Sequence, residues 1–267
     1  MSLEAKNLNF SYTEGQPILK NLTLSIPPKQ ITALIGRNGC GKSTLLKLLN
    51  GLLTPNAGSI KLGGRELSSI PKNLLAQSMA HLAQSSIAPN GLTVRELVDF
   101  GRHPYKGFLG RSSSKDEDAV SWALSETSLT KLADRELNTL SGGQRQRAWI
   151  ALTLAQDTEF LLLDEPTTYL DIAHQIEVLE LLARLNEEQK KTIVMVVHDP
   201  NHASQYAHHV ACLADGVLLK EGEPSKIFTV DNVRELFSVE PLIFEGKHPE
   251  KPWCVPHHSL SSDDNDR

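Results

Sequence analysis

The sequence predicts an α/β fold with a parallel sheet at its core, an N-terminal antiparallel β region and an inserted α-helical subdomain. Three short, mainly apolar runs predict strands covered on both faces: Ile31–Ile35, Phe160–Leu163 and Thr192–Val197. Apolar and polar residues alternate in Leu3–Tyr12 and Ile18–Ile26, which is typical of antiparallel strands with one buried face. The two patterns place the antiparallel region first and the parallel core after it.

Composition limits the possible functions. The chain has 267 residues, 40% of them apolar, and a net charge of −5. A chain of this size buries roughly 75% of its unfolded surface without disulfides, and its acidic balance argues against nucleic acid as a partner. Three cysteines without CxxC spacing indicate a reducing compartment. Since no apolar run reaches the ~20 residues that span a bilayer and no secretory signal is evident, we expect a cytosolic chain. Any membrane-spanning part would belong to another polypeptide.

Between about residues 85 and 139, and up to about 155, the sequence is polar and favours helices, which predicts the inserted subdomain. Thr93 and Glu96 have the spacing of a capping box. Ser112–Asp118 is predicted to be an exposed, charged connection before a helix that begins at Ala119. We assign residues 1–240 to one domain and 241–267 to a C-terminal extension whose end, Ser261–Arg267, we expect to be disordered.

Two further elements are predicted from local signals. Asp215-Gly216 between two apolar runs indicates a β-hairpin. Asp171 has the position of a helix cap, and the helix after it is predicted to bury Ile172, Ile176, Leu179, Leu182 and Ala183.

A glycine-rich loop follows the first apolar run and precedes a predicted helix, Lys42–Asn50. It fits GxxxxGK[ST], and its residues are Gly36, Arg37, Asn38, Gly39, Cys40, Gly41, Lys42, Ser43 and Thr44. In such a loop backbone N–H groups surround phosphate oxygens, the lysine adds a charge at the β- and γ-phosphates, and the serine hydroxyl binds Mg²⁺. The alternative is a chance glycine-rich turn. Cys40 is interpreted as a small filling side chain, with sensitivity to alkylation as the other possibility.

Polar side chains also follow the other buried strands. Asp164 and Glu165 end the run that begins at Phe160, His198 follows the run ending at Val197, and Gln84 follows a predicted strand end at His81–Ala83. The carboxyl ends of parallel strands are where such sheets bind ligands. Asp164, with Ser43 and Gln84, can hold Mg²⁺, while Glu165 can accept a proton from an attacking water. A helix-capping acidic pair and a structural histidine are the alternatives.

The segment Leu140–Gln144, LSGGQ, opens a second helix with two glycines. A helix N-terminus of this kind binds anions, and one triphosphate does not need two such loops from one chain. Ser141, Gly143 and Gln144 therefore predict that this loop completes the site of a second copy.

In combination, these motifs resemble those of the nucleotide-binding ATPase subunits of ABC transporters, over roughly residues 2–240. The resemblance implies a P-loop NTPase core, ATP and Mg²⁺ as ligands, and a homodimer with ATP sandwiched between its copies. It also implies integral-membrane permease subunits, a periplasmic or lipoprotein substrate-binding protein that acts through them, and a place at the cytoplasmic face of the membrane. It assigns Tyr12 to stacking on adenine, Tyr169–Asp171 to the D-loop, and His198 to the switch position; from sequence alone Tyr12 could equally be an ordinary strand aromatic.

A finer resemblance concerns the cargo. Gly101-Arg-His-Pro104, the extension Arg145–Ile150, and Asp164–Ile172 with His174-Gln175 are similar to the iron–siderophore branch of ABC importers. Haem and cobalamin importers, or a soluble ABC-type ATPase of cofactor assembly, are the alternatives; a P-loop kinase or GTPase would not need LSGGQ. Pro200 departs from the leucine usual in the family after His-Asp, and because proline is accepted at the first helical position, we expect little disturbance.

Overall fold

The computed structural model describes residues 1–84, 89–106, 112–168, 170–246 and 248–259. The chain divides into two compact units: Met1–Ser68 with Val194–Arg267 (unit 1), and Ser69–Ile193 (unit 2). Among the described helices, none is both long and apolar enough to cross a membrane.

Unit 1 begins with the predicted antiparallel region. Its four strands are β1 (Leu3–Ser11), β2 (Pro17–Ile26), β4 (Ala57–Leu62) and β5 (Arg65–Glu66), in the order β2-β1-β4-β5. Alternate side chains of β1 are buried, as its sequence pattern predicts. The expected N-terminal antiparallel β region is thereby confirmed.

The rest of unit 1 supplies the strand that precedes the glycine loop. Strand β3 (Ile31–Ile35) is wholly buried and pairs in parallel with β9 (His209–Ala214), which turns into β10 (Val217–Gly222). Asp215 and Gly216 both have positive φ, at 47° and 83°, as the predicted tight hairpin requires. The unit also contains α1 (Lys42–Leu49), α7 (Pro200–Tyr206), α8 (Pro224–Ile227) and α9 (Val230–Phe237). Strand β8 (Thr192–Val196) begins in unit 2 and ends in unit 1.

Unit 2 combines two parallel strands with a helical part. Strands β6 (Met79–Leu82) and β7 (Phe160–Asp164) are paired with Leu82 opposite Leu163. Its helices are α2 (Lys72–Ser78), α3 (Val94–Asp99), α4 (Ser114–Glu126), α5 (Gly142–Ala155) and α6 (Ile172–Gln189). Helices α3, α4 and α5 pack on one another. A Cβ atom at Gly101 would lie 2.3 Å from the Leu152 carbonyl oxygen, so only glycine permits the observed approach to α5.

The start of α4 corrects one prediction. Ser112–Asp118 is exposed as expected except at Asp116. It is not a connection, however, because the helix begins at Ser114, and Ser113 forms a capping box with Asp116. Asp116 is only 4% exposed. Its carboxylate accepts hydrogen bonds from the Ser113 backbone N–H and hydroxyl and from Arg102, which compensates for the burial of its charge.

The set of buried side chains predicted for α6 is also partly wrong. Asp171 caps the helix as expected, accepting from the His174 N–H at 2.9 Å. Ile172, however, is 77% exposed, and Ile176 is exposed as well. The buried side chains of this helix begin at Val178, so the apolar residues of the first two turns have no core beneath them.

The C-terminal extension contains a pair of strands that was not predicted from the sequence. Strand β11 (Val239–Phe244) pairs antiparallel with β12 (Trp253–Ser259); we call these two strands, together with Lys251 and Pro252 that lead into β12, the C-terminal hairpin. The proposed division after residue 240 falls inside β11 and stays a prediction. The expected disorder of Ser261–Arg267 concerns residues outside those described.

Candidate functional site

The glycine loop of unit 1 connects β3 to α1. Gly36 has φ 141°, and a Cβ atom there would lie 2.0 Å from the Leu213 carbonyl oxygen. Gly41, the N-cap of α1, has φ 103°, and a Cβ atom there would lie 2.7 Å from Leu19 Cδ2. Side chains are thus excluded at both ends of the loop. The helix N-terminus behind it is the kind of site that attracts phosphate.

Lys42 directs its charge into this loop. The side chain is 5% exposed, and its Nζ donates to the carbonyl oxygens of Gly36 at 2.8 Å and Arg37 at 2.9 Å. The buried Cys40 Sγ lies 3.7 Å from the same Nζ. A desolvated ammonium group held by the loop backbone is suited to bind an anion at the helix N-terminus.

Tyr12 lies directly after β1 in the same unit. Its side chain is 59% exposed, and its hydroxyl is 3.3 Å from Thr44 Oγ1. The ring meets Phe10 edge to face, with centroids 4.9 Å apart and planes at 88°. These two contacts orient the ring next to the first turn of α1 and leave it accessible to a planar ligand.

His198 follows β8 and is exposed. Directly after it, Asp199 caps α7 by accepting from the Asn201 N–H at 2.8 Å. Pro200 occupies the first position of α7, a position that accepts proline. The expectation that it disturbs His198 little stays a prediction.

Glu165 is the centre of a polar cluster in unit 2. Its carboxylate accepts from Gln84 Nε2 at 2.8 Å through one oxygen and from the Thr168 hydroxyl at 2.9 Å through the other. Glu165 is 8% exposed and has φ 53°, a backbone conformation that is strained for a residue with a side chain. Asp164, the last residue of β7, is buried beside it in the chain. The parallel pairing of β6 and β7 brings Gln84 and these carboxylates to the same edge.

Sequence reasoning did not include Thr168 in this cluster. The available signal was a hydroxyl three residues after Glu165, a spacing at which a turn brings side chains together. A backbone hydrogen bond from the Thr168 N–H to the Glu165 carbonyl oxygen, at 3.2 Å, closes that turn.

LSGGQ opens α5, also in unit 2. Ser141 is the N-cap and forms a full capping box with Gln144: Ser141 Oγ accepts from the Gln144 N–H at 3.3 Å, and Gln144 Oε1 accepts from the Ser141 N–H at 3.1 Å. Gly142 has open space where a Cβ would be, whereas at Gly143 a Cβ would touch the His174 ring at 3.4 Å. The exposed Ser141-Gly142 end of a fourteen-residue helix therefore faces solvent. The predicted D-loop residue Tyr169 lies outside the described residues.

Comparison with known proteins identifies the family. Residues 19–168, which include the glycine loop, LSGGQ and Asp164-Glu165, match the family model described as "ABC transporter". The chain belongs to the ABC transporter family. Tyr12 and His198 lie outside the matched range.

Two curated ABC relatives match nearly the whole chain. The iron(3+)-hydroxamate import ATP-binding protein FhuC of Bacillus subtilis is 44% identical over 98% of this chain and 97% of its own. The probable siderophore transport system ATP-binding protein YusV of the same organism is 47% identical over 96% of this chain and 93% of its own.

Solved ABC structures agree with the fold. A chain of an inward-facing, metal-chelate type ABC transporter matches with a TM-score of 0.83 and 33% identity, over 96% of this chain and 97% of that chain. The dimeric, post-hydrolysis cassette MJ0796, bound to ADP and Pi, matches with a TM-score of 0.73 and 29% identity, over 82% of this chain and 97% of that chain. The chain is an ABC-type ATPase with the predicted α/β nucleotide-binding fold.

Proposed function

We propose that this ATPase energises the import of iron(III)–siderophore complexes. The observation that supports the cargo best is the relative named for iron(3+)-hydroxamate import, which aligns with the chain over almost the full length of both proteins. Siderophore transport is also printed in the name of the second relative. The cargo itself would not contact this subunit, whose residues act on ATP.

We propose that Lys42 and the backbone N–H groups of Gly36–Thr44 bind the β- and γ-phosphates. The buried position of the Lys42 ammonium and the steric need for glycine at Gly36 and Gly41 support this assignment. Tyr12 would stack on adenine. Its ring is exposed and is oriented by contacts with Thr44 and Phe10, which favours this role.

Mg²⁺ is proposed to accompany ATP. The residues assigned to it are Ser43, Gln84 and Asp164, which offer a hydroxyl, an amide carbonyl and a carboxylate. All three are oxygen donors, the kind that Mg²⁺ prefers, and the ion keeps several waters when few protein ligands are present. When bound, the ion would neutralise charge on the phosphate oxygens.

Glu165 is proposed as the general base. A water oxygen attacks the γ-phosphorus, its proton passes to the Glu165 carboxylate, and the bond to the leaving ADP oxygen breaks. Gln84 and Thr168 hold the two carboxylate oxygens, so the base is oriented before the reaction begins. His198 is proposed to contact the γ-phosphate as a switch.

A homodimer is proposed as the active unit, with two ATP molecules sandwiched between its copies. Ser141, Gly143 and Gln144 would bind the γ-phosphate held by the other copy, which their exposed helix N-terminus allows. The dimeric ADP- and Pi-bound relative supports this arrangement. Closure on ATP and reopening after hydrolysis would drive integral-membrane permease subunits from the cytoplasmic face, and a substrate-binding protein would deliver the cargo to them.

The cargo is testable by transport. Cells lacking the endogenous ATPase, permease and binding protein would receive this chain together with its own permease and binding protein, and would be offered labelled ferric hydroxamate, haem or cobalamin. We expect ATP-dependent uptake of the ferric siderophore and none with Lys42→Ala. Uptake of haem or cobalamin in place of the ferric siderophore would contradict the proposed cargo and would leave the assignment as an ATPase intact.

Substitution of Tyr12 tests adenine stacking. Tyr12→Ala is expected to raise the KM for ATP about tenfold, because stacking of one base on an aromatic ring is worth roughly 1–3 kcal/mol. Tyr12→Phe keeps the ring, loses the contact with Thr44, and should stay within about twofold of wild type. Steady-state ATPase assays give both values; an unchanged KM in Tyr12→Ala would contradict the assignment.

Complementation tests the shared site. Ser141→Arg and Lys42→Ala should each abolish hydrolysis alone, because each variant damages both sites of a homodimer. In an equimolar mixture half of the dimers are mixed, and each mixed dimer has one of its two sites intact, so about one quarter of wild-type activity should return. Mixtures that stay inactive while still forming dimers would argue against a loop that acts in its neighbour.

A further inference from the structure

We propose that the C-terminal hairpin positions His198 by holding helix α7, with Asn201 as the main positioning residue. This inference rests on the proposed function, in which His198 acts in ATP hydrolysis. It gives a role to a segment, residues 239–259, that lies outside the part of the chain matching the family model.

Asn201 binds the backbone of β12 as a neighbouring strand would. Its Nδ2 donates to the Cys254 carbonyl oxygen at 2.9 Å, and its Oδ1 accepts from the Cys254 N–H at 2.7 Å. One side-chain amide thereby satisfies both polar groups of a buried strand residue.

Two more residues on the same face of α7 continue this contact. Ser204 Oγ donates to the Pro252 carbonyl oxygen at 2.5 Å, and Gln205 Nε2 donates to the Lys251 carbonyl oxygen at 2.9 Å. Lys251 Nζ returns a hydrogen bond to the Gln205 carbonyl oxygen at 2.7 Å. Positions 201, 204 and 205 have the spacing that places side chains on one helix face. The face of α7 that they form is therefore bound to β12 at Cys254 and to the two residues that lead into this strand, Lys251 and Pro252.

Helix α7 needs this support. It has seven residues and begins with proline, and isolated helices of that length are unstable in water. Ala203 in the helix and Ala207, its C-cap, are buried, and α7 contacts β3, the strand that leads into the glycine loop. Without the hairpin, the polar side of α7 would lose all of its hydrogen bonds to Lys251, Pro252 and Cys254.

The connection from α7 to His198 is short. Asp199, the next residue, caps α7 by accepting from the Asn201 N–H, so Asn201 is bound by the cap on one side and by the hairpin on the other. On the other flank the Val197 N–H donates to the Leu34 carbonyl oxygen at 3.2 Å. The residues on both sides of His198, Val197 and Asp199, are therefore held by hydrogen bonds. Movement of α7 would displace Asp199 and with it the His198 imidazole.

The hairpin has a second attachment that provides a matched control. Arg234 on α9 donates through Nε and Nη2 to the two Glu240 carboxylate oxygens of β11, each at 2.6 Å. This pair is exposed, and exposed ion pairs contribute little to stability. Arg234→Ala removes contacts of the hairpin without touching α7.

The test uses the full-length chain with Mg-ATP. Asn201→Ala is expected to lower kcat about tenfold, since misplacement of a catalytic group by about 1 Å can cost up to 10²-fold. The KM for ATP should change less than about twofold, because the glycine loop and Tyr12 are untouched. Arg234→Ala should leave both constants at wild-type values. The milder Gln205→Met, which keeps the side-chain volume, should lower kcat in the same direction and covers the case in which Asn201→Ala does not fold.

A double-mutant cycle separates positioning from general damage. If Asn201 acts through His198, Asn201→Ala should have no further effect on kcat in a His198→Ala background. An equal loss in both backgrounds, or wild-type kcat in Asn201→Ala and Gln205→Met, would overturn the inference. Wild-type kcat in His198→Ala alone would instead refute the proposed role of His198.

Discussion

Glu165→Gln lowers kcat for ATP hydrolysis about 10²–10⁴-fold while ATP binding persists, if Glu165 is the general base. The substitution removes the proton acceptor and keeps the shape. The new amide can still accept from Gln84 through its oxygen and donate to the Thr168 hydroxyl, so both contacts of the carboxylate have replacements. Single-turnover hydrolysis and equilibrium binding of ATP measure the two effects separately.

Glu177→Gln is the matched control for this result. Glu177 lies on α6, its side chain is exposed, and its contact with Arg147 is long at 3.4 Å, so the same chemical change there should leave kcat and the affinity for ATP unchanged. Near wild-type hydrolysis by Glu165→Gln would show that another group accepts the proton.

Short-range signals made much of the fold and site predictable. The glycine loop, the capping box of Thr93 and Glu96, and the helix cap at Asp171 all depend on residues within a few positions of one another. The strand edge that carries Gln84 and Glu165 also followed from the buried apolar runs. These features are decided by local backbone geometry and by burial, both of which sequence patterns express directly.

Features that depend on distant partners were not predictable. The charge on Asp116 suggested exposure, because nothing near it in the sequence identified Arg102 as its buried partner. No strand was predicted for the C-terminal hairpin, because it is held by a distant residue: Asn201 is 53 residues away from Cys254. Ile172 has the spacing of a core residue, but the core ends before its turn of α6.

Arg102→Met has the largest expected effect on stability, a loss of about 3–5 kcal/mol in the free energy of unfolding. Arg102 is buried, donates through Nε to Asp116 at 2.8 Å and through Nη1 to the Ala155 carbonyl oxygen at 2.7 Å, and stacks 4.0 Å from the centre of the Tyr105 ring. The substitution keeps an apolar stem but leaves a buried carboxylate without its cation. Urea unfolding followed by circular dichroism measures the change.

An exposed pair of an arginine and a carboxylate provides the control for Arg102→Met. Arg184 donates to Glu126 at 2.6 Å on the surface of unit 2, and Arg184→Met should cost at most about 1 kcal/mol. Equal losses in the two variants would contradict the special role of the buried pair.

The buried pair of Arg102 and Asp116 also predicts how the stability of the fold depends on pH. Burial alone would raise the pKa of Asp116, but hydrogen bonds from the Ser113 backbone and hydroxyl and from Arg102 outweigh it and lower the pKa to about 2. Because the pKa is lower in the folded chain than the ordinary value near 3.8, this carboxylate stabilises the fold above that value. The contribution is lost as the pH falls from about 4 to 2. In Arg102→Met the decrease within this window should be smaller.

The size of the nucleotide-bound complex tests the central claim, a shared ATP site, most directly. Light scattering of size-exclusion fractions gives the mass of Glu165→Gln with Mg-ATP, and quantification of the bound nucleotide gives its stoichiometry. The proposed arrangement predicts a dimer that holds two ATP molecules and that fails to form when Ser141→Arg is added. A monomer that binds one ATP with full affinity, or a dimer unaffected by Ser141→Arg, would contradict it.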